Sequence, residues 1–256
     1  MPFSCVLPTC FKPSFADDLL RLGRTNDGGY VVKSNDVSKS DHLISFGIND
    51  DWSFESDFRK QHNVPISAFD ASVNLGVFVK TAIKNLNRFD KPKTLFKNTV
   101  LPLRYLSFFR GETKHFMYFL GVDRKPKYIS IATALSEADV HPREQLFFKI
   151  DIEGSEYRIL DELIQLQNRT SGLVIEFHDC DLHIARIKHF IQAYGLHPIH
   201  IHCNNSGTLG LNDVPTVIEM TFSSSDQSSC DAIIPSILDQ PNDPNKEEVQ
   251  ITFRDS

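Results

Sequence analysis

The chain contains no CxxC pair, and its five cysteines, Cys5, Cys10, Cys180, Cys203 and Cys230, are an odd, widely spaced set. That pattern argues against both a disulfide framework and a structural zinc site, and a reducing cytoplasm suits it. No apolar run reaches the length that spans a bilayer. The opening MPFSCVLPTCF lacks a basic n-region and is broken by Pro2 and Pro8, so neither a signal peptide nor an anchor is expected. The sequence has no internal repeat, and the glycine fingerprint GxGxxG is missing. Positive charge is in deficit: 27 Lys and Arg face 33 Asp and Glu, a net −6 that speaks against generic nucleic-acid binding.

What is present is an ordinary globular composition, 41% hydrophobic and 23% charged over 256 residues. That is enough for one α/β domain with a well-buried core, so 1–256 is expected to fold as a single domain. Apolar residues 43–46 end at Gly47 and residues 64–69 end at Asp70, with helical spacing over 53–61 between them. Strand, helix, strand is the unit that builds a parallel sheet. Further strands are expected over 128–132, 145–150, 173–176, 197–202 and 214–222, with amphipathic helices over 157–168 and 182–194. The expected fold is a Rossmann-like α/β arrangement, mostly parallel, with helices on both faces. Asp27-Gly28-Gly29-Tyr30 reads as a tight hairpin within an N-terminal extension over 1–40, the alternative being a flap that closes over a bound ligand with Arg24 or Tyr30 contributing. Beyond Ser223 the Ser-, Asp-, Asn- and Pro-rich stretch gives no expectation of order, and residues 249–253 could add an edge strand.

Charge is unevenly spread. Residues 73–128 hold twelve Lys and Arg against Asp90, Glu112 and Asp123, a net +9 that leaves −15 on the rest. The same stretch is rich in Phe and Tyr. Its length suggests a helical, basic and aromatic insertion, 73–127, lying over the site like a lid and suited to an anionic substrate.

In an open parallel sheet, ligands lie beyond the carboxyl ends of the strands. Five such ends carry polar groups. Gly47 opens a turn with Asn49, Asp50, Asp51 and Ser53, where a ligand can approach the backbone at a helix start. Asp70 closes the next strand, placed to accept hydrogen bonds from ribose hydroxyls. An apolar strand delivers Lys149, Asp151 and Glu153 into a turn, and charges there need partners. Glu176, His178 and Asp179 follow another strand, and His200 and His202 lie on a fifth. Asp151, Glu176, His178 and Asp179 on one rim would suit Mg²⁺ or Mn²⁺.

The run KIDIEGSEYRIL, residues 149–160, resembles the Lys-Ile-Asp-Val-Glu-Gly-Ala-Glu signature of the FkbM-type methyltransferases. NDGGYVV, SFGINDDWSFE, FDAS, LVIEFHD and HIHCNN support the likeness, which extends from about residue 20 to 222. It implies a class I methyltransferase fold, S-adenosylmethionine as cofactor, and O-methylation of sugars or polyketide-derived hydroxyls. By position, Gly47 and Asn49, Asp50, Asp51 and Ser53 would hold the methionine part of the cofactor, and Asp70 its ribose. Asp151 would sit at the methyl-transfer site.

The resulting expectation is an O-methyltransferase acting on a sugar hydroxyl, nucleotide-linked or in a surface-polysaccharide precursor, assisted by a divalent metal. Asp151, Lys149, His200 and His202 are the candidate catalytic residues, with Lys149 or one of the two histidines as base. The acceptor would be a small sugar or nucleotide sugar; a homo-oligomer is compatible with the sequence. Two rivals remain: a metal-dependent glycosyltransferase, because Asp151-Ile152-Glu153 imitates a DxD-like pair, and a noncatalytic binding module of the same fold.

Overall fold

The computed structural model describes residues 4–85, 92–122, 126–225 and 228–255, the side chains of 92–95, 97, 98 and 211 excepted. The first third of the chain forms β1 (Ser4–Pro8), β2 (Leu19–Gly23), β3 (Gly29–Lys33), α1 (Ser34–Ser38), β4 (His42–Phe46), α2 (Ser53–Gln61), β5 (Ile66–Phe69) and α3 (Leu75–Asn85). Next come α4 (Pro92–Phe108), β6 (Thr113–Phe116), β7 (Phe119–Leu120), β8 (Tyr128–Ile129), α5 (Ile131–Glu137), β9 (Leu146–Ile150) and α6 (Leu160–Gln165). The chain ends with β10 (Thr170–Phe177), α7 (Cys180–Ala193), β11 (His197–Cys203), β12 (Ile218–Ser223) and β13 (Gln250–Arg254).

Seven strands make the central sheet in the order β11-β12-β10-β9-β4-β5-β6. The pairs from β10 through β6 are parallel, whereas β12 runs antiparallel to both its neighbours. The order reverses between β4 and β9, where the crevice of a doubly wound sheet opens. This is the expected Rossmann-like, mostly parallel α/β fold.

Alternation along the buried strands decides which layer each side chain joins. Leu146, Phe148 and Ile150 of β9 enter one core with Ile44, Phe46 and the apolar faces of α5, α6 and α7. Phe147 enters the opposite core with Leu43, Phe54 and Phe58, its ring 5.1 Å from that of Phe58. Lys149 shares the parity of Phe147, so the strand carries its ammonium to the α2 face. A third, smaller core joins Trp52, Phe78 and Leu101.

Several expectations change in detail. Residues 128–132 do not enter the main sheet: β8 is two residues long and pairs only with β7, and Ser130 then caps α5. Thr113–Phe116, inside the segment read as an insertion, is the edge strand of the main sheet, so α3 and α4 form the crossover from β5 to β6. Arg88, Phe89, Lys91, Arg124 and Lys125 of that segment lie outside the described residues. β13 pairs in parallel with β1 and not with the main sheet. The polar stretch before it has partners, since Asp239 meets His200, Asn242 meets Glu219 and Glu248 meets His202. Among the described residues no helix is long and apolar enough to cross a membrane.

Candidate functional site

A cavity of about 620 Å³ opens beyond the carboxyl ends of β4, β5, β9 and β10. Gly47, Asn49, Asp50, Asp51, Asp70, Lys149, Asp151, Glu176 and His178 all line it. Ser53, Asp179, His200 and His202 do not. The β2–β3 hairpin closes one side with Arg24, Asp27, Gly28 and Tyr30, and Tyr118, Phe119, Leu120 and Tyr128 close another. Within 73–127, the cavity wall therefore comes from the short strand β7 and its neighbour Tyr118, not from the basic helices.

The turn after β4 is built by its own side chains. Gly47 sits at φ +80°, and a Cβ there would lie 1.7 Å from the carbonyl oxygen of Asp151. Its lack of a side chain thus serves the close approach of β9 as well as the ligand side. Asp70 accepts the N–H groups of Ile48 (3.1 Å) and Asn49 (2.9 Å) on Oδ2, and the N–H and hydroxyl of Ser72 on Oδ1. Its acceptor positions are all engaged, making it first a brace between two loops. Ser53 is likewise structural: its hydroxyl accepts the Arg24 N–H at 2.9 Å and ties the hairpin to α2.

The turn after β9 has an organiser that the sequence reading passed over. Glu156, fully buried, accepts the N–H groups of Ile152 (3.1 Å) and Gly154 (3.2 Å) and meets His178 Nδ1 at 3.1 Å. With Nδ1 so held, His178 turns Nε2 toward Glu153 (3.7 Å) and Glu176 (3.8 Å). Burial alone would lower the imidazole pKa, but the hydrogen bond and charge of Glu156, with Glu176 and Asp151, outweigh it and raise the value. Ligand atoms of Asp151, Glu153 and His178 lie within 4.8 Å of one another. The cluster thus takes Glu153 where Glu176 and Asp179 were expected. Asp179 is exposed, in the left-handed region at φ 51°, at the start of α7.

Tyr30, which the sequence offers only as part of a flap over the ligand, is a central member of the site. Its hydroxyl lies 3.0 Å from Asp151 Oδ2 and 2.9 Å from Glu176 Oε2, joining two strand ends. Burial, then the charges of Asp151 and Glu176, push the phenol well above its usual pKa, so it is a permanent donor. Burial and the nearby Asp151 and Glu219 also raise the Glu176 carboxyl, to about 8. Lys149 Nζ meets the Gly47 carbonyl at 2.5 Å, Asp151 Oδ2 at 3.6 Å and the Tyr30 ring face at 5.6 Å. Every partner is electron-rich, so the side chain is positioned to fix Asp151. The only sequence signal for Tyr30 is its place in DGGY, directly after the hairpin turn.

His200 and His202 are corrected as candidate bases. β11 lies at the far end of the sheet, and both imidazoles are buried against acids of that end: His200 against Asp239 at 2.7 Å, His202 between Glu219 and Glu248 at 3.3 Å each. Burial opposes the charge on His202, but its two carboxylate partners prevail and raise its pKa to about 10. A raised folded-state value means stability that is complete below the unfolded value near 6.5 and disappears as pH climbs to about 10. The urea midpoint should therefore fall across that window, by on the order of 2 kcal/mol in stability. In His202→Gln, whose side chain does not titrate, most of that slope should be gone; an unchanged slope would assign it to other groups.

No family model matches the chain, and no curated protein matches it. Solved structures are similar at low identity. The precorrin-6y C5,15-methyltransferase of Geobacter metallireducens is 11% identical, with 75% of this chain and 84% of that one covered and a TM-score of 0.39. A Streptococcus pneumoniae protein described as a candidate tRNA (m1A22) methyltransferase, solved with S-adenosyl-L-methionine, is 12% identical over 77% and 72% of the two chains, with a TM-score of 0.38. The fibrillarin pre-rRNA processing protein of Methanococcus jannaschii is 9% identical over 80% and 82%, with a TM-score of 0.36. Likeness of this size fixes no activity for this chain.

Proposed function

We propose that the cavity binds S-adenosylmethionine and that the chain transfers its methyl group to a sugar hydroxyl, on a surface-polysaccharide precursor in preference to a nucleotide-linked sugar. The observation that carries this reading is the sign of the lining. Eight carboxyl groups, of Asp27, Asp50, Asp51, Glu55, Asp70, Asp151, Glu153 and Glu176, face the cavity against Arg24, Lys149 and the His178 imidazole, and the six that remain when Glu55 and Glu176, both raised by burial, are set aside still outnumber them. A sulfonium is a cation and gains from that surface; a diphosphate is repelled by it. Lys80, Lys84, Arg104, Arg110 and Lys114, which could have offset the repulsion, lie outside the lining. The nucleotide-sugar glycosyltransferase is thereby the weaker alternative.

In this reading the turn holding Asn49, Asp50 and Asp51 receives the methionine part. The ribose diol takes the place of the Ser72 hydroxyl on Asp70, since that rotor can swing away while the three backbone donors stay. Asp151, fixed by Tyr30 and Lys149, accepts the proton of the acceptor hydroxyl as the methyl leaves sulfur in line. A divalent cation fits Asp151, Glu153 and His178, because an imidazole held at one nitrogen by a carboxylate is the usual support of a metal ligand. When bound, such an ion would lower the pKa of a coordinated hydroxyl.

Calorimetry tests the donor. S-adenosylhomocysteine should bind with a Kd in the micromolar range, about −8 kcal/mol, and UDP-glucose with Mn²⁺ should give no heat. The opposite pair of results would transfer the site to the glycosyltransferase reading.

A further inference from the structure

α4 has two apolar faces, and among the described residues only one of them has a partner. Leu101, Tyr105 and Phe108 turn inward and pack with Phe109 around Trp52 and Phe78. Phe96, Leu103 and Leu106 lie within an arc of about 80° on the other side, by the helical repeat, and are 71%, 68% and 52% exposed. The companion helix α3 exposes Val79 and Ile83, at 40% and 63%. Three large apolar side chains exposed on one face of a single helix are a mark of a docking surface, not of a solvated face.

The charge around these side chains selects what docks. Lys80 and Lys84 of α3 and Arg110 just beyond α4 are exposed in the same segment, and the Arg104 guanidinium lies 5.5 Å from the centre of the Trp52 ring. They belong to the stretch that carries +9 while the rest of the chain carries −15. A second copy of the chain would set one such face against another of the same sign. Nucleic acid would satisfy the charges but has no use for an aliphatic stripe of Val, Ile and Leu. An anionic lipid surface satisfies both, with headgroups for the bases and the acyl boundary for the stripe.

We propose that the α3–α4 crossover is a peripheral docking face for an anionic bilayer. Trp52, clamped under α4, directly precedes α2 and follows the turn of Asn49, Asp50 and Asp51. Docking through this face therefore holds the cavity close to the membrane plane, where an acceptor carried on a lipid would be within reach. The docking itself stands whether or not the methyltransferase reading does.

The test is flotation of the full chain with vesicles of phosphatidylcholine alone or with about one-third phosphatidylserine. At low salt the chain should favour the anionic vesicles by about tenfold or more, and the preference should fade as ionic strength rises. Leu103→Ser combined with Leu106→Ser should weaken flotation about tenfold; Lys80→Glu with Lys84→Glu should abolish the preference for anionic lipid. Both pairs are exposed, and circular dichroism checks the fold. Should either variant unfold, Phe96→Ser and the salt series on the unaltered chain still decide. Equal flotation with both vesicles, or none with either, overturns the proposal. So does light scattering showing a dimer that the leucine pair dissolves, or tight binding of random-sequence RNA without flotation.

Discussion

Gly47→Ala is expected to remove at least ~4 kcal/mol of stability, a large share of the ~5–15 kcal/mol that holds a domain together. Two costs combine. Alanine at φ +80° leaves the allowed region for an L residue, and its methyl group would fall 1.7 Å from the Asp151 carbonyl oxygen, just past the end of β9, the central strand. A flexible side chain could retreat from such a clash, whereas the Asp151 carbonyl cannot, because the Asp151 N–H is bonded to Phe46 across the same junction at 3.0 Å. In thermal unfolding the loss corresponds to a Tm lower by about 10 °C or more for a chain of this size. A variant with unchanged Tm would mean that β4 and β9 do not meet as described, and the floor of the cavity would have to be redrawn.

Asp151→Asn should have the largest effect on turnover, a loss of about 10²–10⁴-fold in methyl transfer, the range expected when a proton acceptor is removed. The amide keeps the shape and can still accept from Tyr30, so stability should move by no more than about 1 kcal/mol. Affinity for S-adenosylhomocysteine should stay within about threefold, because the carboxylate's part lies with the acceptor. The measurement is transfer of a labelled methyl group from S-adenosylmethionine to a pool of nucleotide sugars and polysaccharide precursors. Turnover retained within tenfold, with an unaltered fold, would remove Asp151 from the chemistry. Loss of cofactor affinity without loss of turnover at saturation would move it to the binding half of the site.

Strands and helices were legible where periodicity and burial act together. The helix over 53–61 coincides with α2, and the strand ends at Gly47, Asp70 and Asp151 lie where the apolar runs stop. Periodicity has nothing to say about pairing, which is why β6 was hidden in an aromatic stretch and β8 was assigned to the wrong sheet. The site was legible as residue types at strand ends, so Lys149, Asp151, Glu176 and His178 converge. Which charges face the ligand and which face each other depends on strand order, and that order took His200 and His202 to the far end. The role of Glu156 and the central position of Tyr30 were hidden for a related reason: each acts through side-chain geometry that spans 22 and 121 or more residues of sequence.

The parallel pairing of β1 with β13 brings together residues 247 apart in sequence, as in the bond from the Thr252 hydroxyl to the Cys5 carbonyl. Closing so wide a loop is entropically demanding and contributes heavily to contact order. On a translating ribosome this seam must form after the central sheet, once the polar strap ahead of β13 has emerged to pair with the imidazoles of β11. Until then those imidazoles lack Asp239 and Glu248, and nascent chains stalled before residue 239 should be unusually sensitive to protease at that edge.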